Sequence, residues 1–368
     1  MKQVIALALF IVLVSFVGTG AELRDREKPE EVEKGGWMVA GRTIPFAALG
    51  TGRCPPAGRL ENYCSARMVR DLLTVGDTLW IGTEGGLFAY CMSQDSITPV
   101  PAPLPGSIEV IAVDDAGSLW VGGGNGLGIR SAAGWTRYTD DANPFFTRVM
   151  DISPGEGRIW LATYGKGTGF VEGGDLTIYT REDSLLDDRV LRVLEQGSET
   201  VWFGTASGMC RADTLQWQSM RYGSRLPIGS VNDMLLDEEG NLFLAIARQG
   251  AAVYNLGRVR TFGLGRGLPE RDVAGFSLDP LGRVWAAGRS GVSTFDGSAW
   301  SPYRLPGVPI GRYNFLSIHH GMDGECYLGT DEGTILILGR ETVREITLPQ
   351  RFPENTVTRL RMFGKALW

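Results

Sequence analysis

The residue types that carry most enzymatic chemistry are scarce in this chain and poorly spaced for it. Its two histidines, His319 and His320, are adjacent. Neighbouring residues of a strand face opposite ways, so the pair is not arranged to hold one metal, and a structural or channel-lining place is expected. Gly165-Lys166-Gly167-Thr168 has the look of a phosphate loop, but the glycine four residues further upstream is missing and no helical pattern follows. No Gly-x-Ser-x-Gly, no His-Glu-x-x-His and no nucleophile spaced to a base occurs. Of the five cysteines, Cys54 and Cys64 lie in one Pro/Gly-containing loop, where a local disulfide is expected outside the cytoplasm. Cys326 reads as a small buried hydrophobe, and Cys91 and Cys210 have no obvious partner. No Cys/His pair has metal-ligand spacing, so neither metal nor cofactor is expected. Dispersed carboxylates of a lyase or hydrolase are the remaining enzymatic reading.

The elements that would have to position a site are far more legible. Asp77 to Tyr90 reads DTLWIGTEGGLFAY, and its tryptophan or an aromatic stand-in recurs at Trp80, Trp120, Trp160, Trp202, Phe243, Trp285, Tyr327 and Trp368, at gaps of 40 to 42 residues. A period near 40 with several short strands per repeat predicts an all-β propeller of four-stranded blades. Each repeat opens with a hydrophobic-x-x-hydrophobic pair, as in Val69/Leu72 and Val149/Ile152, and turns at Asp-x-x-Gly, as in Asp114 to Gly117. One or two carboxylates per turn suit a type I turn rather than a calcium loop. The Leu-Trp-Ile-Gly-Thr strand is apolar on both faces, as a sheet covered on both sides requires, with the glycine letting the next blade approach. Aromatic pairs on the fourth strands, such as Trp300/Tyr303, read as outer packing.

Seven full repeats run from about Met68 to Leu348, and Val357 to Trp368 begins another. Residues 32–46, including Thr43-Ile44-Pro45-Phe46, read as a third and fourth strand, so both ends together make a shared blade. The expectation is eight blades with the terminal one shared; seven is the alternative. Closing a ring with strands from both termini removes exposed edges.

The motif D-x-x-G-x-L-W-x-G-T-x-x-G-L, seen in TLWIGTEGGL at 78–87, DDAGSLWVGGGNGL at 114–127 and TVWFGTASGM at 200–209, resembles the two-component regulator propeller repeat. The resemblance spans nearly the whole chain after its leader. It implies a β-propeller outside the cytoplasm, of the kind that forms periplasmic sensors responding to polysaccharide fragments, or that stands alone at the cell surface or with type IX secretion. This chain departs from the sensor-kinase plan: no membrane helix, kinase or receiver pattern follows the repeats.

Other features set the context. Met1-Lys2, an apolar run from Val4 to Val17 and the small exit ending at Ala21 predict a signal peptide over 1–21. A charged spacer, 22–31, and one propeller domain, 32–368, follow. Without the leader, 35 basic residues stand against 42 acidic ones, which argues against a nucleic-acid partner. A periplasmic, secreted or cell-surface protein of a bacterium is expected, with no membrane span after leader removal.

Ligands of propellers sit at a channel mouth, so candidate binding residues are those of the two-to-three and blade-to-blade loops: Asn125, Tyr164, Lys166, Arg248, Arg289, Asp331, Phe145 and Tyr313. Arginine and aromatic rings beside carboxylates suit a sugar acid or a protein partner. The third residue of each first strand supplies a second set, with Asp71, Asp151, Arg192, Asp233 and Arg359 expected to line a wet channel or hold a ligand. The functional expectation is a non-catalytic ligand-binding or sensor module for a small ligand such as a glycan fragment. The alternative is a scaffold for an envelope protein, and a polysaccharide lyase stands third.

Overall fold

The computed structural model describes residues 42–45 and most of 69–347; 1–41, 46–68, 348–368 and short loop pieces (84–85, 95, 102–103, 105, 214–215, 221–228, 264, 269, 322–323, 332–333 and 340–341) lie outside the described residues. The expected leader and spacer, Cys54, Cys64, Arg359 and the segment 357–368 therefore all fall outside them.

The turn chemistry of the repeat explains why each one folds into hairpins. The amides of Gly117, Gly240 and Gly282 donate to the carbonyls of Asp114, Asp237 and Asp279 at 2.9–3.1 Å, and the three glycines sit at φ 77–78°, where a side chain would be strained. The same aspartates accept the amides of Ser118, Asn241 and Arg283 at 2.7–2.9 Å. Asp114 and Asp279 also accept from the indole nitrogens of Trp120 and Trp285, at 2.8 and 3.1 Å. One carboxylate thus closes the hairpin and anchors the tryptophan that follows. At the other end of the second strand, the hydroxyls of Thr83, Thr163 and Thr205 donate to the carbonyls of Gly86, Gly167 and Gly208 at 2.7–2.9 Å.

Four antiparallel strands result per repeat, ordered one to four across each sheet. The innermost strands are Val69–Val75, Ile108–Val113, Val149–Pro154, Val190–Gln196, Val231–Leu236, Val273–Leu278 and Phe315–His320. Blades 1 to 7 begin with these strands in turn. The glycine of the second strand does what its position demands: a Cβ on Gly82 would stand 2.8 Å from Ile108 Cγ2, and one on Gly122 would stand 2.6 Å from Val149 Cγ1. The tryptophans fill the wedges between blades. Trp160 is wholly buried against Phe170 and against Phe203 of blade 4, with centroids 4.8 and 5.4 Å apart. Apolar clusters join each blade to the next, and Tyr327, Ile335 and Ile337 of blade 7 share one with Leu72, Leu79 and Ile81 of blade 1.

The described residues therefore form seven four-stranded blades in a propeller ring, the alternative of the sequence reading. The shared terminal blade needs correction at its N-terminal half. Arg42–Pro45 pairs antiparallel with Asp175–Tyr179's sheet edge, Arg42 opposite Ile178 and Pro45 opposite Asp175, and so extends blade 3 by a fifth strand. A short alternating segment can complete any exposed edge, and local pattern does not choose which.

One departure from regular pairing repeats in every blade. The register shifts between the first and third residues of each innermost strand. The second residue is the extra one of a β-bulge: Arg70, Glu109, Met150, Leu191, Asn232, Ala274 and Leu316, all half-buried.

Candidate ligand-binding face

The bulges lie at the strand ends that meet the two-to-three and blade-to-blade loops, so these loops and the bulge residues share one face of the ring. Over blades 1 to 4 its charges are matched to one another. Glu109 takes Arg70 at 3.6 Å, Arg148 at 4.0 Å and the Ser107 hydroxyl at 3.1 Å. Arg148 also lies over the ring of Tyr164, 5.2 Å from its centroid. Tyr164 is exposed and bridges backbone to backbone with Arg189. The Arg189 guanidinium grips Asp187 through Nε and Nη2 at 3.1 and 2.7 Å, and Ser207 donates to the same carboxylate at 2.5 Å. Burial works against the Asp187 charge, but these bonds hold its carboxyl at about 2.

Lys166 is exposed on the Gly165-Lys166-Gly167 loop. That loop is no phosphate cradle, because the amides of Gly165 and Gly167 both donate to the Asp188 carbonyl at 2.9 Å. Asn125 is exposed at the tip of its hairpin, with its amide nitrogen 3.2 Å from where a Cβ on Gly106 would stand. Phe145 leaves the face altogether: with Phe146 it forms a 3-10 turn, Pro144–Thr147, and is buried in the core between blades 2 and 3.

Over blades 6 and 7 the face is concave. A groove of about 830 Å³ runs between the third and fourth strands of blade 6 and the connection 304–314. Val292, Tyr303, Pro306, Val308, Ile310 and Tyr313 give it an apolar, partly aromatic lining. Tyr303 is 37% exposed, the exception among fourth-strand aromatics; Trp300 below it is buried, as the packing reading expects. Tyr313 is buried, donates its hydroxyl to Glu345 at 2.9 Å and carries Arg312 4.5 Å from its ring centroid. Arg304 lines the groove, and Arg289 precedes the lining residues Ser290 and Gly291. Arg289 spends its backbone amide on Glu270, at 2.6 Å. Among the described residues its guanidinium and that of Arg304 have no carboxylate partner, and both are exposed.

Arg248, in the left-handed region at φ 61°, stands on blade 5 with its amide donating to Asp272 at 2.7 Å. Asp331 on blade 7 accepts from the Asn314 amide at 2.5 Å. The structure thus brings Tyr313 and the Arg289 loop to one groove and spreads Asn125, Tyr164, Lys166, Arg248 and Asp331 around the rim. The sequence reading assigned Tyr303 to outer packing and did not single out Arg304 or Ile310; the usable signal was Pro306-Gly307-Val308-Pro309, a stiffened apolar connection.

The second candidate set lies between blades. Asp71 and Asp151 are wholly buried and accept the amides of Ile111 and Val193 in the next blade, at 2.8 and 3.1 Å. Asp233 accepts that of Phe276 at 2.8 Å and pairs with Arg192 at 3.2 Å. His319 and His320 are buried as well. Burial keeps both rings neutral down to about 3 and 4, and His320 Nδ1 lies 3.1 Å from the Ser277 hydroxyl. Cys210 and Cys326 are buried free thiols, and burial pushes Cys210 up to about 12. No group of three or more metal-ligating side chains occurs among the described residues, nor any helix long and apolar enough to cross a membrane.

No protein-family model matches the chain, and no curated relative does. Solved structures do. A streptogramin B lyase is 14% identical, with 73% of this chain and 92% of that one covered, at a TM-score of 0.59. YCF48 bound to D1 peptide is 17% identical over 64% and 79% of the two chains, at 0.50. The extracellular domain of a hybrid two-component system from B. thetaiotaomicron is 17% identical over 77% and 49%, at 0.46. At such identities the likeness to the lyase and to YCF48 shows a β-propeller and leaves activity to the residues themselves.

Proposed function

We propose that this chain is an exported, non-catalytic propeller that binds an acidic glycan fragment in the groove over blades 6 and 7. The observation that carries the reading is the pair of unmatched guanidinium groups, Arg289 and Arg304, beside an aromatic concavity of about 830 Å³. That volume lies within the range of small-molecule sites. Tyrosine faces offer a flat apolar surface to a sugar ring, and a guanidinium takes a carboxylate through two parallel bonds. The buried, neutral histidines are not placed to serve as a surface acid and base, which weighs against a lyase. The signal-peptide pattern of the sequence over 1–21 supports export.

A thermal-shift series on the full chain against uronic-acid oligosaccharides, neutral oligosaccharides and calcium tests this. A ligand at a hundred times its dissociation constant adds about 2.7 kcal/mol, a shift readily seen. A saturable rise with uronic-acid oligomers, lost when Arg289 and Arg304 are both replaced by alanine, is expected. A flat series on folded protein, or a shift indifferent to those arginines, overturns it. The second reading is a docking site for an extended peptide of an envelope protein. It is favoured by Ile310, 80% exposed at the groove rim; peptide capture blocked by Ile310→Asp would establish it.

A further inference from the structure

The connection from blade 5 to blade 6 holds further arginines whose charge the fold leaves unused, and its counterpart between blades 3 and 4 shows why. Glu270-Arg271-Asp272 precedes the innermost strand of blade 6 as Asp187-Asp188-Arg189 precedes that of blade 4. The two connections share their joints. The carbonyl of the middle residue accepts the amide of a glycine at the start of the preceding blade's third strand: Asp188 from Gly167 at 2.9 Å, Arg271 from Gly250 at 2.7 Å. The carboxylate of the first residue accepts a serine hydroxyl of the following blade: Asp187 from Ser207, Glu270 from Ser290.

They differ in where the arginine stands. Arg189, in the last place, closes its guanidinium on Asp187. In the other connection the last place is Asp272 and the arginine is in the middle. Glu270 then accepts the Arg289 amide at 2.6 Å, and Asp272 accepts the Arg248 amide at 2.7 Å. Both carboxylates thus hold arginines by the main chain. The side chains of Arg248, Arg271 and Arg289 are exposed, and among the described residues none of their guanidinium groups is paired with a carboxylate.

Arg248 is marked in a second way. The two-to-three loop of blade 5 spans residues 247–249, because Ile246 pairs with Gly250; in blades 1 and 6 the loop is one residue shorter, with Thr83 opposite Gly86 and Gly288 opposite Gly291. In the longer loop Arg248 sits at φ 61°, a region that glycine adopts freely and arginine does not. Backbone strain at an exposed cationic residue points to a function for its side chain. The connection also ties this loop to the groove. The Cα atoms of Glu270 and Asp272 are at most about 7 Å apart, and Ser290, which Glu270 holds, lines the groove.

We propose that Arg248 and Arg271 form a second anion subsite on the rim of blade 5, continuous with the groove, so that the ligand is an oligosaccharide with acid groups on at least two of its units. One acid group meets Arg289 and Arg304, and another meets Arg248 and Arg271. This rests on the reading of the groove as an acidic-glycan site. Guanidinium groups take carboxylates through paired, charge-assisted bonds, and two linked contacts reinforce each other through effective concentration. The subsite therefore selects for length as well as charge.

Calorimetry on the full chain with a uronic-acid hexamer and with the methyl glycoside of the same uronic acid tests this. The hexamer is expected to bind about a hundredfold more tightly, beyond the roughly sixfold statistical advantage of its repeated units. Arg248→Gly and Arg271→Gln should each weaken the hexamer about tenfold, as loss of a charge-assisted hydrogen bond does, and leave the monomer unchanged; Arg289→Ala should weaken both. Arg248→Gly should melt at or above the temperature of the unmodified chain, since glycine takes φ 61° without strain, so its lost binding is not lost folding. Hexamer binding that neither Arg248→Gly nor Arg271→Gln alters overturns the subsite and leaves the groove reading standing. Equal weakening of monomer and hexamer in Arg248→Gly assigns that arginine to the groove itself and also overturns a separate subsite. Binding of neither ligand overturns both readings.

Discussion

The loop face carries arginines in two sectors that use them differently. Over blades 1 to 4, Arg70, Arg148 and Arg189 are occupied by Glu109, Tyr164 and Asp187. Over blades 6 and 7, the guanidinium groups of Arg289 and Arg304 are exposed beside a groove, and among the described residues neither is paired with a carboxylate. Both sectors carry arginine; what differs is whether the fold has already used its charge. A matched arginine stabilises a loop, and an unmatched one is available to a ligand.

The contrast is broken most strongly through packing. Trp160→Ala in the matched sector should cost about 3–5 kcal/mol in a urea titration. Tyr303→Ala in the groove, at a half-exposed ring, should cost under about 1 kcal/mol yet abolish the sugar-acid shift. Binding is the sharper probe of charge. Replacing Arg289 or Arg304 by alanine should weaken uronic-acid binding by about tenfold or more, as loss of a charged hydrogen bond does, while Arg148→Ala should leave it nearly unchanged by calorimetry.

The blade junctions under the two sectors should also respond oppositely to pH. Between blades 3 and 4, burial pushes Glu195 up to about 7 despite Arg158 at 3.2 Å. Its folded form holds a proton that the unfolded chain releases above about 4.5, so this contribution to stability is full below 4.5 and lost as pH rises through 7. Beside blade 7, His319 and His320 stay neutral down to about 3 and 4. Their contribution is full above about 6.5 and lost as pH falls toward 4. Urea midpoints measured from pH 4 to 8 should show the first slope vanish in Glu195→Gln and the second weaken in His319→Phe. The smallest effect is ionic: raising salt from about 0.1 to 1 M, which shortens the screening length from roughly 10 to 3 Å, should weaken groove binding a few-fold and leave the melting point of Arg148→Ala close to that of the unmodified chain.

Much of the ladder was legible beforehand, for a physical reason. The second-strand aromatics, the Asp-x-x-Gly turns and the glycine facing Ile108 are each dictated by contacts that recur in several blades, so they leave a period in the sequence. The groove is made by a connection, 304–314, that occurs once and whose course depends on what Trp300 and Tyr313 pack against. Phe145 was misplaced for the same reason: loop position suggested exposure, whereas a 3-10 turn drives its ring into the wedge between blades 2 and 3. The strand Arg42–Pro45 looked like part of a terminal blade because its alternation suits any edge, and its choice of blade 3 is written in tertiary contacts alone.

The bulge at the second position of each innermost strand has a consequence for how such a ring diversifies. A residue without a ladder partner can change size, charge or polarity while the hydrogen-bond register on either side stays as it was. Arg70, Glu109, Met150, Leu191, Asn232, Ala274 and Leu316 already span basic, acidic, amide and aliphatic chemistry on one scaffold. The ring therefore behaves as a display with one setting per repeat, coupled where Arg70 and Glu109 pair, in which one face is retuned by single substitutions while the ladder between strands is kept.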